Sequence, residues 1–293
     1  MSDRTIGIIG LGIMGGAIAA NLAKGGFTVI GYDPEPARRQ EAETAGASLR
    51  GDAAAVAKDA PVLLTSLPIE AALDETAAAI ATANLPPRVI AETSTFTLAG
   101  KERAEKILRD AGHTLLDCPL SGTGAQAKTK DLSVYASGDS AAIARLQPVF
   151  LGFAREAPDL GAFGNGSKMK YVANLLVAIH NVAAAEALVL GMKAGLDPRQ
   201  ILQVVPPGAG GSRMLEVRGP VMADGSWEVP TMRISTWHKD LKIIGDYAKE
   251  VGCPLPMMDA TLPIYRAAQA LGHGEHDTAA VCAVLEKMAG VRR

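Results

Sequence analysis

The stretch T-I-G-I-I-G-L-G-I-M-G at residues 5–15, with Asp33 eighteen positions beyond its last glycine, decides how this chain folds. Residues 5–9 read as a short buried strand. Residues 13–24 (I-M-G-G-A-I-A-A-N-L-A-K) read as a helix of small and apolar side chains, closed by Gly25 and Gly26. Gly10, Gly12 and Gly15 stand at the junction in a G-x-G-x-x-G frame. Gly10 permits the tight turn, Gly12 leaves the backbone uncovered, and Gly15 lets the helix lie close to the strand. The N–H groups of the helix start then face outward, so residues 10–15, with Leu11, Ile13 and Met14 between the glycines, form a cradle for the pyrophosphate of a dinucleotide. Residues 27–32 (F-T-V-I-G-Y) form a second strand ending at Asp33, whose carboxylate accepts hydrogen bonds from adenosine ribose hydroxyls. This favours NAD, because a 2′-phosphate would meet that carboxylate and Pro34 follows in place of an arginine. Arg38 and Arg39 are near enough to keep NADP open.

A chain of 293 residues is long for one domain, so two are expected: a dinucleotide-binding domain over 1–163 and a helical domain for substrate and oligomerisation over 164–293. Hydrophobic residues at 48% and charged residues at 20% fit a soluble enzyme. The 29 basic and 31 acidic side chains give a net charge of −2, without the basic footprint that nucleic acid requires. Residues 1–5 contain a charged pair and no apolar run of signal-peptide length, which reads as an untargeted, cytoplasmic chain. Cys118, Cys253 and Cys282 lie far apart and lack C-x-x-C or Cys/His ligand spacing, so neither a disulfide framework nor a metal site is expected.

Beyond Asp33 the patterns alternate. Helices are expected over 36–45, 70–81, 98–111 and 141–151, and strands over 62–66, 88–91, 114–116 and 132–136. That is an α/β, Rossmann-type, doubly wound domain with a mainly parallel sheet covered on both faces. Strand signals then fade. Residues 166–194 predict one helix of about 43 Å, leading into an all-α C-terminal domain. Residues 175–190 carry one formal charge, Glu186, yet Lys168, Lys170, Asn174, His180 and Asn181 interrupt the apolar run along this helix. They argue against a membrane span and for a central helix buried between domains or subunits. The next helix starts with Asp197 as N-cap, Pro198 at its first position and Gln200 in capping-box position. Further helices are expected over 240–251, 258–270 and 278–288, with a loop at 206–212 (P-P-G-A-G-G-S).

Hydride transfer from an alcohol needs a group that takes the hydroxyl proton. Lys170 is offered by the glycine-rich approach to the long helix. A free lysine, with a pKa of about 10.4, is too basic for this, but burial, the positive helix end and an oxidised nicotinamide would each lower it. Asn174 lies one turn further on the same face, where its amide can hold a substrate oxygen or the ammonium. A second segment, D-C-P-L-S-G-T-G-A at 117–125, follows a strand and so belongs at the ligand-binding edge of the sheet. Ser121 with the N–H groups of Gly122 and Thr123 predicts an anion nest for a substrate carboxylate. Leu67, Pro68 and Thr95 also follow strands directly and are placed as cleft walls.

Together these motifs resemble the β-hydroxyacid dehydrogenase family, which includes 3-hydroxyisobutyrate dehydrogenase. Residues 10–15 with Ala19, Asn21 and Leu22 match its cofactor signature, Asp117-x-Pro-x-Ser-Gly122 its substrate loop, and Gly164-x-Gly-x-x-x-Lys170 its catalytic segment. Lys239-Asp-Leu241 and Gly272-x-Gly-x-x-Asp277 resemble late family motifs. The resemblance implies NAD(P)-dependent oxidation of a small 3-hydroxy acid, or the reverse reduction. It implies Lys170 as general acid/base with Asn174 assisting, and Ser121, Gly122 and Thr123 on the carboxylate. Leu67, Pro68, Thr95 and Lys239 would line the cofactor, and the helical domain would pack into a homodimer or homotetramer. An imine reductase and a catalytically silent scaffold are the alternatives on the same fold, and the retained Lys170 speaks against both. The chain departs from the family pattern at Ala173, Thr123, Met232 and Thr236, all around the expected substrate pocket.

Overall fold

The structure is a computed structural model that describes residues 4–292; the charged start read above, residues 1–3, lies outside them. The chain divides into two compact units, one up to Lys170 and one from Tyr171 onward. The sequence placed that boundary at 163/164. The compact first unit also takes in the first turn of the long helix, where Gly166 and Ser167 are hydrogen-bonded into it.

Six parallel strands form the first unit: β1 (Thr5–Ile9), β2 (Thr28–Tyr32), β3 (Ser48–Leu49), β4 (Val62–Thr65), β5 (Val89–Glu92) and β6 (Thr114–Asp117). Their order is β3-β2-β1-β4-β5-β6, so the strand order reverses between β1 and β4 and opens a crevice at their carboxyl ends. The strand interiors are apolar because both faces are covered, and the polar residues stand at the strand ends. Successive residues alternate between two cores: Ile8, Val29, Leu64 and Leu116 belong to one, and Ile9, Ile30, Leu63 and Leu115 to the other. The helices are α1 (Ile13–Lys24), α2 (Pro36–Thr44), α3 (Ala53–Asp59), α4 (Glu70–Thr82), α5 (Leu98–Asp110), α6 (Gly124–Lys128) and α7 (Ser140–Phe153). One expectation is corrected. The strand expected over 132–136 does not join the parallel sheet; β8 (Ser133–Val134) pairs antiparallel with β7 (Leu120–Ser121).

The long helix α8 (Asn165–Lys193) is followed by α9 (Pro198–Val204), α10 (Arg213–Asp224), α11 (Ile234–Glu250), α12 (Pro256–Ala268) and α13 (Val281–Ala289). By length and composition alone α8 is apolar enough to cross a membrane. Its inner face instead builds the core of the second unit through Ala178, Val182, Ala185 and Leu188. Asn181, fully buried on that face, donates through Nδ2 to Tyr265 Oη and to the Thr278 carbonyl at 3.1 and 2.9 Å, so the protein interior pairs the donors of its amide.

Helix α11 begins at Ile234, well before the expected 240, because the tail anchors its start. Ile234 N donates to the His276 carbonyl, and Asp277 collects the amides of Thr231, Met232 and Ala279 together with the Thr231 hydroxyl. Arg218 completes the cluster at 3.2 Å, with both side chains buried. Burial would raise the Asp277 carboxyl, but Arg218 and these donors outweigh it and hold it below the usual carboxylate range. Its stabilisation is therefore present above that range and is lost as the pH falls through the depressed value. Asp277→Ala, which leaves Arg218 buried and unpaired, is expected to cost about 3–5 kcal/mol in urea unfolding at neutral pH. A loss under 1 kcal/mol would show that Asp277 is not the anchor.

Candidate active site

The three glycines of the first loop have different jobs. Gly10 turns at φ +91°, and a Cβ there would run into the Ser66 carbonyl; a Cβ on Gly15 would run into the Gly10 carbonyl. Both are demanded by packing alone. A Cβ on Gly12 would meet no atom within 4 Å, so nothing in the fold requires glycine there. Among the described residues no side chain caps the start of α1, whose donors open onto the crevice beside Gly12. An uncovered backbone at an uncapped helix start suits a pyrophosphate.

Asp33 ends β2 and is almost fully buried. Its Oδ2 accepts from Leu11 N at 2.7 Å and its Oδ1 from Glu35 N at 2.8 Å, so it ties the glycine loop to the β2–α2 turn. Each oxygen keeps a further lone pair for a ribose hydroxyl. Of the two nearby arginines, Arg39 lies against the end of β2, donating to the Asp33 and Pro34 carbonyls, while Arg38 pairs with Glu41. Leu11 is a core residue and offers the crevice only its backbone, whereas Ile13 is exposed and Met14 half-buried. Leu67 N donates to Ser94 Oγ at 2.8 Å, which joins the loops after β4 and β5; Thr95 is half-buried and Pro68 exposed.

The segment that carries Ser121 is mounted on α1. Asn21 of α1, buried, donates to the Ala127 carbonyl at 2.7 Å, and a Cβ on Gly124 would press on Ile13. Gly122 sits at φ +135° beside Leu132, a conformation closed to other residues. Thr123 is the N-cap of α6 in a full capping box. Its N–H donates to Gln126 Oε1 at 3.0 Å, and its hydroxyl accepts from Gln126 N. The expected three-residue nest is thus reduced: the Thr123 amide is engaged inside the loop, leaving Ser121 and the Gly122 amide, both half-buried.

Lys170 stands in the second turn of α8, half-buried. The first turn is held from far along the chain. Asp117 Oδ2 accepts from Ser167 N at 2.7 Å, Asp117 Oδ1 from Ser167 Oγ at 2.9 Å, and Ser137 Oγ from Gly166 N at 2.9 Å. The positive helix end invoked for Lys170 is therefore covered by a carboxylate. Asn174, one turn beyond Lys170 and buried, donates through Nδ2 to Asp240 Oδ2 at 3.0 Å. That bond fixes the amide and leaves its Oδ1 as an acceptor. Lys239 Nζ lies 3.6 Å from Asp240 Oδ1. His238 is half-buried on α11, where burial and the charge of Arg266 hold it below the usual histidine range and so neutral at pH 7. Among the described residues no cluster of His, Cys, Asp and Glu could hold a metal.

Sequence reasoning missed Lys101, fully buried between Glu92 and Asp117 at 2.7 Å from each. A signal existed: Lys101, Ala104 and Leu108 share the buried face of α5, so a lysine occupies the apolar stripe. Asp240 as the partner of Asn174 left no such trace, since a pairing across 66 positions has no local pattern.

A family model described as the NAD binding domain of 6-phosphogluconate dehydrogenase matches residues 5–164. One described as the NAD-binding of NADP-dependent 3-hydroxyisobutyrate dehydrogenase matches residues 164–285. The chain is 33% identical to an L-threonate dehydrogenase of Cupriavidus necator, over 95% of each chain. It is 30% identical to a 2-(hydroxymethyl)glutarate dehydrogenase of Eubacterium barkeri, over 98% of this chain and 96% of that one. The Mycobacterium tuberculosis 3-hydroxyisobutyrate dehydrogenase solved with L-serine superimposes with a TM-score of 0.86 at 27% identity, over 96% of this chain and 98% of that one.

The glycine geometry separates folding from binding. Gly12→Ala is expected to keep the urea midpoint of the parent and weaken NADH binding at least about tenfold, a loss of about 1.4 kcal/mol. Gly15→Ala is expected to lower the urea midpoint itself. Unaltered NADH affinity in folded Gly12→Ala would move the pyrophosphate elsewhere.

Proposed function

The chain belongs to the β-hydroxyacid dehydrogenase family and is NAD(P)-dependent, and we propose that it oxidises a small 3-hydroxy acid, or runs the reverse reduction, with Lys170 as general acid/base. The observation that carries this reading is the bonding of the first turn of α8, just ahead of Lys170, to the Asp117 end of the Ser121 loop. Proton acceptor and carboxylate-binding loop are thereby anchored to one carboxylate. The cofactor, held at the glycine loop and Asp33, would supply the hydride acceptor for the carbinol carbon. Lys170 Nζ would receive the hydroxyl proton as the C–H and O–H bonds break and the C=O bond forms, and in reverse would return it. Asn174, its Oδ1 oriented by Asp240, accepts from the Lys170 ammonium or the substrate hydroxyl. Ser121 and Gly122 hold the carboxylate.

The related enzymes named above act on threonate, 2-(hydroxymethyl)glutarate and hydroxyisobutyrate, acids that share a hydroxyl on the carbon β to a carboxylate. We take that shared unit as the substrate class. Asp33 supports NAD as the preferred cofactor, and Arg39 is the residue placed to receive a 2′-phosphate. Initial rates with L-threonate, 3-hydroxyisobutyrate, 2-(hydroxymethyl)glutarate and L-serine, each with NAD and NADP, test both statements. At least one acid is expected to turn over, with higher kcat/KM for NAD. Lys170→Ala should lose more than about a hundredfold in kcat while binding NADH as the parent does. Parental turnover in that variant would end the mechanism.

The helical unit also carries a surface that suits a second copy. Val172, Leu176, Ala183, Ala187 and Leu190 are exposed on α8 at spacings that keep them on one face, with Leu190 72% exposed. An apolar seam along a helix of 29 residues fits the same seam on a symmetry mate, which makes a homodimer the proposed assembly. The parent chain is expected to sediment as a dimer at micromolar concentration, and Leu176→Glu with Leu190→Glu as a monomer. A monomeric parent, at 30.3 kDa, would exclude the assembly.

A further inference from the structure

Glu92 and Asp117 are register partners at the carboxyl ends of β5 and β6, and both side chains are fully buried. Two neighbouring carboxylates out of water repel each other and lose their hydration, so an unaccompanied pair could not stay ionised. Lys101, from the first turn of α5, places its ammonium 2.7 Å from an oxygen of each. Burial works against that charge, but the Asp117 and Glu92 carboxylates outweigh it and hold the lysine above its usual range. One ammonium and two carboxylates leave a net charge of −1.

Such a cluster is a poor device for stability alone, since apolar side chains of similar volume commonly stabilise as well or better. Its remaining bonds show another use. Asp117 spends its other lone pairs on Ser167 N, Ser167 Oγ and, at 3.3 Å, Ser137 Oγ. Ser137 in turn accepts from Gly166 N, and its backbone exchanges two hydrogen bonds with Asp117. Gly166 lies so close to the Tyr135 and Asp117 carbonyls and to Pro119 that a Cβ would not fit. The orphan donors at the start of α8 are thus capped by a carboxylate 50 positions earlier in the chain, on the strand that leads into the Ser121 loop.

We propose that Lys101 is a positioning residue: by bonding Asp117 and fixing its carboxylate in place, it holds the start of α8, and with it Lys170, against the segment that carries Ser121. Ser167 transmits that hold. The inference rests on the assignment of Lys170 as general acid/base, and a displacement of order 1 Å at such a group can cost up to about a hundredfold in rate.

Two variants test it. Glu92→Gln with Lys101→Met preserves the net charge of the cluster, and Ser167→Ala leaves every buried charge paired while deleting the transmitting hydroxyl. In both, amide exchange over residues 164–172 should accelerate while NADH affinity stays within about twofold of the parent. With the best acid of the screen above, kcat should fall at least about tenfold in the first variant and about threefold in the second, with little change in KM. Ser167→Thr, which keeps the hydroxyl, should restore kcat, and neither variant should lower the residual rate of Lys170→Ala further. If the double variant does not fold, the Ser167 pair decides. Unchanged exchange with kcat within twofold of the parent would overturn the proposal, as would losses that persist undiminished in the Lys170→Ala background. Full turnover by Lys170→Ala alone would instead refute the acid/base assignment, and the exchange measurement would still judge whether Lys101 holds the helix.

Discussion

A buried carboxylate must be surrounded by donors or it will not remain charged, and much of this structure is organised by that requirement. Asp117 is the clearest case, with a lysine, two serine hydroxyls and a helix amide converging on it from segments distant in sequence. Because the four donors come from three elements, satisfying one side chain sets where α5, the 133–137 segment and α8 lie around β6. The directionality matters as much as the energy. Apolar packing would tolerate a slide of α8 by a fraction of an ångström, whereas bonds of 2.7 and 2.9 Å to two oxygens of one carboxylate do not.

The same device recurs at the other aspartates that the motifs singled out. Asp33 takes amides from the glycine loop and from the turn after β2, Asp240 orients Asn174, and Asp277 gathers amides, a hydroxyl and Arg218. These side chains act by fixing backbone or a neighbouring side chain. In each compact unit one of them is a structural hub, Asp117 in the first and Asp277 in the second. An aspartate in a motif of this fold is therefore as apt to hold a loop as to meet a ligand.

The strand-turn-helix at residues 5–33 and the alternation behind it were legible because their signals are local: apolar runs, glycines and caps at fixed offsets. The two-residue strand β3 and the short α3, with its run of alanines and one valine, carried too little periodicity to read. The segment 132–136 looked like a sheet strand because the apolar pattern of a strand does not say which partner it will find, and β7 lay nearer. The early start of α11 depends on the tail at 274–277, beyond the reach of any sequence window. The motifs singled out Lys170, Asn174 and Ser121 as candidates, but a bond such as that of Asn174 to Asp240, 66 positions away, has no local signal. Lys101 was hidden for a related reason: a lysine in an amphipathic helix is normally solvated, and only two carboxylates from separate strands make its burial tolerable.

The departures from the family pattern bear on specificity unequally. Thr123 brings a hydroxyl to the substrate loop, yet that hydroxyl and the Thr123 amide are absorbed by Gln126, whose own Nε2 is held by Asp131. The Thr123 hydroxyl therefore serves the capping box at the start of α6. Ala173 acts differently. It contributes only a methyl group one position before Asn174, and Asp240 fixes the Asn174 amide. On the proposed mechanism, proton transfer keeps its oriented acceptor while the face of α8 next to it becomes smaller and less polar.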